Sequence, residues 1–143
     1  MDVFSAMETL ASGLTAERVR MNITASNLAN AQTTRTESGE AYRRRDVVLE
    51  AINLQDTGGF AGALEREVAG VQVAKIVEDE DPFRRVYDPA HPDAGEDGYV
   101  NMPNVNMVEE MVGMVMASRA YEAGVTAMQS VRDMASKALS LGR

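Results

Sequence analysis

The chain has 143 residues, 22 acidic against 14 basic side chains, one His and no Cys or Trp, for a formal net charge of −8. Such a length suits one domain, and the absence of Cys excludes thiolate metal sites, disulfides and a Cys nucleophile. The acidic balance argues against a nucleic-acid or anionic-membrane surface, each of which needs clustered Lys/Arg.

The N-terminus carries apolar residues at Phe4, Met7, Ala11, Leu14, Met21, Ala25 and Leu28. Steps of three and four predict an amphipathic helix with a heptad seam, broken only at Arg18, and Asp2 is a suitable N-cap. No basic segment or continuous apolar run follows Met1, so no cleaved secretory signal is expected. Residues 1–30 are nearly neutral, whereas 31–104 hold fifteen acids against eight bases together with all four Pro. This change of composition sets boundaries near residues 31 and 104. Residues 1–30 with 105–143 are expected to form one helical coiled-coil domain, and 31–104 a central region of strands and loops.

In that central region, strands are expected at Tyr42–Ile52, Val68–Val77 and Arg84–Tyr87, forming a small sheet, with a turn at Asp56–Gly62. Arg43-Arg44-Arg45 would alternate faces of a strand, which suits ion pairs between subunits better than an anion site. The acidic run 78–81 is expected to be solvated. Asp93 to Gly98 has the outline of a calcium loop, but Gly95 at its third position and Asn104 at its twelfth supply no suitable ligand. His91 has no nucleophile signature beside it and is expected to bond locally.

Asn106 followed by Glu109 predicts a capped helix start after Pro103. One seam then runs through Met107, Met111, Met114, Ser118, Tyr121, Val125, Met128, Arg132, Ala135 and Leu139, and a second, rich in small residues, through Ala117, Ala120, Gly124, Ala127, Val131, Met134, Ala138 and Leu141. Together they make an apolar arc too wide for a single partner helix, and the small seam predicts close approach at Gly124. Six of the ten Met lie between 107 and 134, where flexible thioethers suit either a core or an adaptable interface. The class expected is mainly α with a small β-rich middle. No catalytic constellation, cofactor site or metal site is expected.

The run Ala25-Ser26-Asn27-Leu28-Ala29-Asn30-Ala31, followed by Thr33-Thr34-Arg35-Thr36, resembles the N-terminal signature of bacterial flagellar rod and hook proteins. Tyr87 to Ala94, Gly98 to Asn106 and Glu109 to Ala123 narrow the resemblance to proximal rod members of that axial family. The family usually has Asn where Gly124 stands. The resemblance implies a structural subunit of the basal-body rod, exported through the flagellar type III apparatus without cleavage of a signal. It implies partners among further copies of the chain, other rod proteins, the MS-ring and the export apparatus, with no nucleic acid and no membrane insertion. The subunit interface it implies combines the seams with the signature: Phe4, Met7, Ala11, Leu14, Met21, Ala25, Asn27, Leu28 and Asn30 at one end. At the other it takes Met111, Met114, Tyr121, Gly124, Val125, Met128 and Leu139. The rival reading is a small acidic coiled-coil adaptor or secretion chaperone.

Overall fold

The computed structural model describes residues 3–53 and 69–141. Two helices, α1 (Val3–Ala29) and α2 (Met107–Leu141), enclose four strands in chain order: β1 (Arg45–Asn53), β2 (Ala69–Glu78), β3 (Arg84–Tyr87) and β4 (Tyr99–Met102). The chain is therefore mainly helical, with a small antiparallel β region between the helices. Asp2 and the expected turn at 56–62 lie outside the described residues.

At 27 and 35 residues, the helices extend about 40 and 52 Å at 1.5 Å per residue. They run antiparallel. Asn27 reaches Glu110, Thr24 lies beside Gly113, and Leu14 lies against Gly124. This register brings Val3 level with about residue 135, so roughly the last turn and a half of α2 projects past it. Asn106 caps α2 as expected, its Oδ1 accepting from the Val108 N–H at 3.1 Å. After Ala29 the chain turns through hydrogen bonds from Ala31 N–H to Leu28 O and from Thr33 N–H to Asn30 O.

The strands form two separate two-stranded ribbons instead of one sheet. β1 and β2 pair along their whole lengths, with a bulge where Val48 opposes Lys75 and Leu49 opposes Val73. This ribbon leans on α1, where Ser12 Oγ accepts from the Val71 N–H at 3.0 Å. β3 pairs with β4, from Arg84 opposite Met102 to Tyr87 opposite Tyr99. The expected third strand is found at its predicted limits, but its partner β4 escaped the reading. Tyr99-Val100-Asn101-Met102 abuts Gly98 and Pro103 directly and reads as part of that turn-rich stretch. β1 begins at Arg45 and not at Tyr42, because the preceding backbone bonds elsewhere: the Tyr42 N–H donates to the Thr33 carbonyl, and Asn104 Oδ1 accepts from the Arg44 N–H.

Among the described residues, the buried hydrophobic ones are Ala16, Ala31, Ala41, Tyr42, Val100 and Ala117. Buried positions of α1 are Ser5, Ala16, Thr24 and Asn27, a face of small and polar side chains. The predicted α1 seam lies to one side of that face, since α1 is wedged between α2 and the β1–β2 ribbon. Apolar spacing marks residues that favour burial; it does not say which neighbour buries them.

Candidate assembly interface

Glu110 of α2 and Asn27 of α1 are 3% and 1% exposed, and they join the helices to the base of β1. Asn27 Nδ2 donates to Glu110 Oε2 at 3.0 Å and to the Arg45 carbonyl at 2.8 Å. Its Oδ1 accepts from the Tyr42 hydroxyl and from the Arg45 N–H, both at 3.0 Å. Arg44 Nε donates to Glu110 Oε1 at 2.7 Å, and its Nη1 reaches Asp46 and Asp79 at 3.4 Å each. Burial alone would lower the Arg44 pKa; its hydrogen bond to Glu110, with the charges of Glu110 and Asp46, overcomes this and holds it above the ordinary value. The guanidinium is therefore charged throughout the physiological range. A buried carboxylate persists only when paired and fully hydrogen-bonded, and both conditions are met here.

This cluster corrects two expectations. The three consecutive Arg residues, expected to pair between subunits, already have partners within the chain: Arg44 as described, Arg45 with Glu78 at 3.3 Å, and Arg43 stacked 4.3 Å from the Phe83 ring centroid. Asn27, expected at the subunit interface, is spent within its own molecule. Neither point was legible in local periodicity, since Asn27 and Glu110 meet across 83 positions of sequence.

The other expected interface residues divide by exposure. Phe4, Ala11, Ala25, Met111 and Leu139 are exposed. Met7, Leu14, Met21, Leu28 and Asn30 are half-buried on α1, as are Met114, Tyr121, Gly124, Val125 and Met128 on α2. Asn30 is used locally, donating to the Ser26 carbonyl and accepting from Thr33. Gly124 does mark a close approach, but the neighbour is Leu14 of the same chain, whose Cδ2 lies 2.8 Å from where a Cβ would stand. α1 packs along the border of the two α2 seams, with Ala117 only 2% exposed.

A surface missed in the sequence lies on α2 opposite α1. Val108, Val112, Val115 and Met116 are each more than half exposed, and Met107 and Met111 nearly so. Their spacing of three and four is visible in the sequence, but Val108, Val112, Val115 and Met116 belong to neither of the two seams. Exposed contiguous apolar surface of this kind marks an interaction site.

The loop between β3 and β4 is fastened by its acids. Asp93 accepts from Thr34 at 2.8 Å and pairs with Arg35 at 3.6 Å, and Asp97 pairs with Arg85. His91 bonds locally as expected, its Nδ1 accepting from the Asp93 N–H at 3.1 Å. A polar groove of about 660 Å³ runs beside this loop, lined by Arg35, Glu40, Arg85, Asp93 and Asp97 among others. Among the described residues, no group of three or more His, Cys, Asp or Glu side chains is placed to hold a metal ion. No described helix is long and apolar enough to cross a membrane.

Two long antiparallel helices with unpartnered apolar faces, joined through a small β region, define a protein built to assemble. Residues 7–35 match the family "Flagella basal body rod protein", and residues 96–141 match "Flagellar basal body rod FlgEFG protein C-terminal". The chain is 45% identical to the flagellar basal-body rod protein FlgC of Bacillus subtilis strain 168, over the full length of both. It is 42% identical to FlgC of Borreliella burgdorferi, over 99% of this chain and 98% of that one, and 39% identical to FlgC of Escherichia coli O6:H1 over both full lengths. The chain belongs to the FlgC family of flagellar basal-body rod proteins. It is a structural component of the flagellar basal body, and the adaptor or chaperone reading finds no support.

Proposed function

We propose that the chain is a non-catalytic subunit of the proximal rod, held by its terminal helices in the shaft that transmits motor torque. The observation that carries this reading is the outward face of α2, where Val108, Val112, Val115 and Met116 stand exposed with no partner among the described residues. Residues 1–30 and 105–143 act as the axial domain, and 31–104 as a central region braced against it. Phe4, Met111 and Leu139 meet neighbouring copies or other rod proteins, with Met7, Met21, Tyr121, Val125 and Met128 closing in behind them. The subunit leaves the cytoplasm through the flagellar type III export apparatus without cleavage of a signal and takes its place in the periplasm, with the MS-ring among its partners.

The test is a deletion strain complemented with the chain. Purified basal bodies should contain it in the rod, and deletion cells should lack rods and fail to swim. Normal basal bodies in the deletion strain would refute the reading.

A further inference from the structure

We propose that Met116 and Met134 are paired oxidation sites, where sulfoxide formation makes the outward face of α2 polar and keeps the free subunit out of the rod. That consequence for assembly rests on the rod reading. A five-residue pattern recurs along α2, as Met116-Ala117-Ser118-Arg119-Ala120 and Met134-Ala135-Ser136-Lys137-Ala138. The two copies are 18 residues apart, about five complete turns, so both Met stand on one stripe about 27 Å apart. They are 65% and 61% exposed, whereas Met7, Met21, Met114 and Met128 are half-buried. Three positions beyond each stands an exposed cation, Arg119 or Lys137, a spacing that brings side chains together on a helix surface. Glu122 and Asp133 lie within a turn of these cations, but neither cation forms an ion pair among the described residues. Met107 and Met111, 46% and 48% exposed, have no cation at that spacing.

The chain has no Cys and no Trp, which leaves exposed thioethers as its most readily oxidised groups. A lone pair on the sulfur attacks one oxygen of hydrogen peroxide, forming the S–O bond as the O–O bond breaks. The departing hydroxide takes the proton from the transferred oxygen and leaves as water. Sulfur loses two electrons and the peroxide gains them. The new oxygen accepts hydrogen bonds, and Arg119 or Lys137 stands one turn away to donate one, so the sulfoxide is tolerated on the free helix. On an assembling surface the balance is different. With Val112 and Val115 beside it, oxidised Met116 interrupts an apolar stripe, and burying the sulfoxide with its cation opposes docking. The change is reversible, since two thiols of a methionine sulfoxide reductase release the oxygen as water and close to a disulfide.

The test treats the purified chain with dilute hydrogen peroxide and follows each Met-containing peptide by mass spectrometry. Met116 and Met134 should gain one oxygen about fivefold faster than the half-buried Met114 and Met128. The oxidised chain should melt within a few degrees of the untreated one, placing the effect in assembly and not in folding. In cells that make the chain under sublethal hydrogen peroxide, its incorporation into basal bodies should fall about tenfold. Met116→Leu with Met134→Leu should remove most of that fall, because Leu keeps the surface apolar without a sulfur. Met116→Gln with Met134→Gln should reproduce the fall with no oxidant present. Equal oxidation of exposed and half-buried Met, or an equal fall for wild type and the Leu variant, would overturn the proposal and leave the rod reading standing. Wild-type chain absent from untreated basal bodies would overturn both.

Discussion

Glu110 shows how a single side chain can hold three elements together. Its carboxylate takes one hydrogen bond from Asn27 on α1 and one from Arg44 at the base of β1. Replacing it with Ala would remove one acceptor each from Arg44 and Asn27, which keep Asp46, Asp79 and the Arg45 carbonyl, a loss of about 1–3 kcal/mol. Glu110→Gln keeps an acceptor of the same shape and should cost roughly half as much. Urea midpoints of the two variants check this order, and equal losses would contradict it. Gly124 makes a second case. An added Cβ would meet Leu14 Cδ2 at 2.8 Å, the free end of a flexible side chain, so Leu14 must turn aside. Gly124→Ala should set a helix-propensity gain of about 1 kcal/mol against a similar overpacking cost. Leu14→Ala should then cost about 1 kcal/mol less in that background than in the wild type. Strict additivity of the two substitutions would show that the contact is not energetically real.

Among the elements, α2 is unevenly supported. Its middle packs on α1 through Ala117 and Gly124, while its last turn and a half runs past the level of Val3. A helix without tertiary cover has little stability of its own. Amides of residues 136–141 should therefore exchange quickly in dilute monomer, and those near Ala117 slowly; equal protection would contradict the packing described. The β3–β4 ribbon depends instead on Asp97. A hydrogen bond from the Tyr99 N–H, with the pairing of Arg85, lowers its pKa below the ordinary 3.8. A depressed carboxylate contributes stability above its unfolded value that is lost as pH falls through the folded value. Ring resonances of the packed Tyr87 and Tyr99, 5.2 Å apart, should shift below pH 3.8, and Asp97→Asn should remove that response. Gly98, at φ 74° with its Cβ position 2.8 Å from the Tyr87 ring, should tolerate no side chain in the same turn. Both helices, β1 and β2 were legible because their periods run through enough residues to be counted, and β3, only four residues long, because Arg84–Tyr87 stands clear of the Pro and Gly on either side. β4 was not, and neither was the separation of the ribbons, since pairing depends on contacts across sequence that periodicity does not encode.

For the whole molecule, the sequence revealed an apolar arc and a family signature but misplaced part of the surface. Asn27 is expected outward and lies inside, while Val108, Val112 and Val115 belong to neither seam and lie outside. The error has one cause. A helix wheel orders residues by angle, whereas the partner that fills a sector is chosen by the rest of the fold. The structure separates what stabilises the subunit, the Asn27–Glu110 cluster and the small-residue contact at Ala117, from what it presents to others. Substitutions on the two surfaces should therefore have separable effects. A carboxylate introduced on the outward face stays hydrated in the monomer but becomes an unpaired buried charge in an assembly, at a cost of several kcal/mol. The most direct measurement compares Val112→Asp, made together with Val115→Asp, with the wild type in thermal melting of the purified chain and in basal-body incorporation by complemented cells. The account predicts a melting temperature within a few degrees of wild type and rods that are absent or lack the variant. A variant that melts far earlier would place these residues in the subunit's own core, and a stable variant that builds normal rods would contradict the claim that this face assembles the shaft.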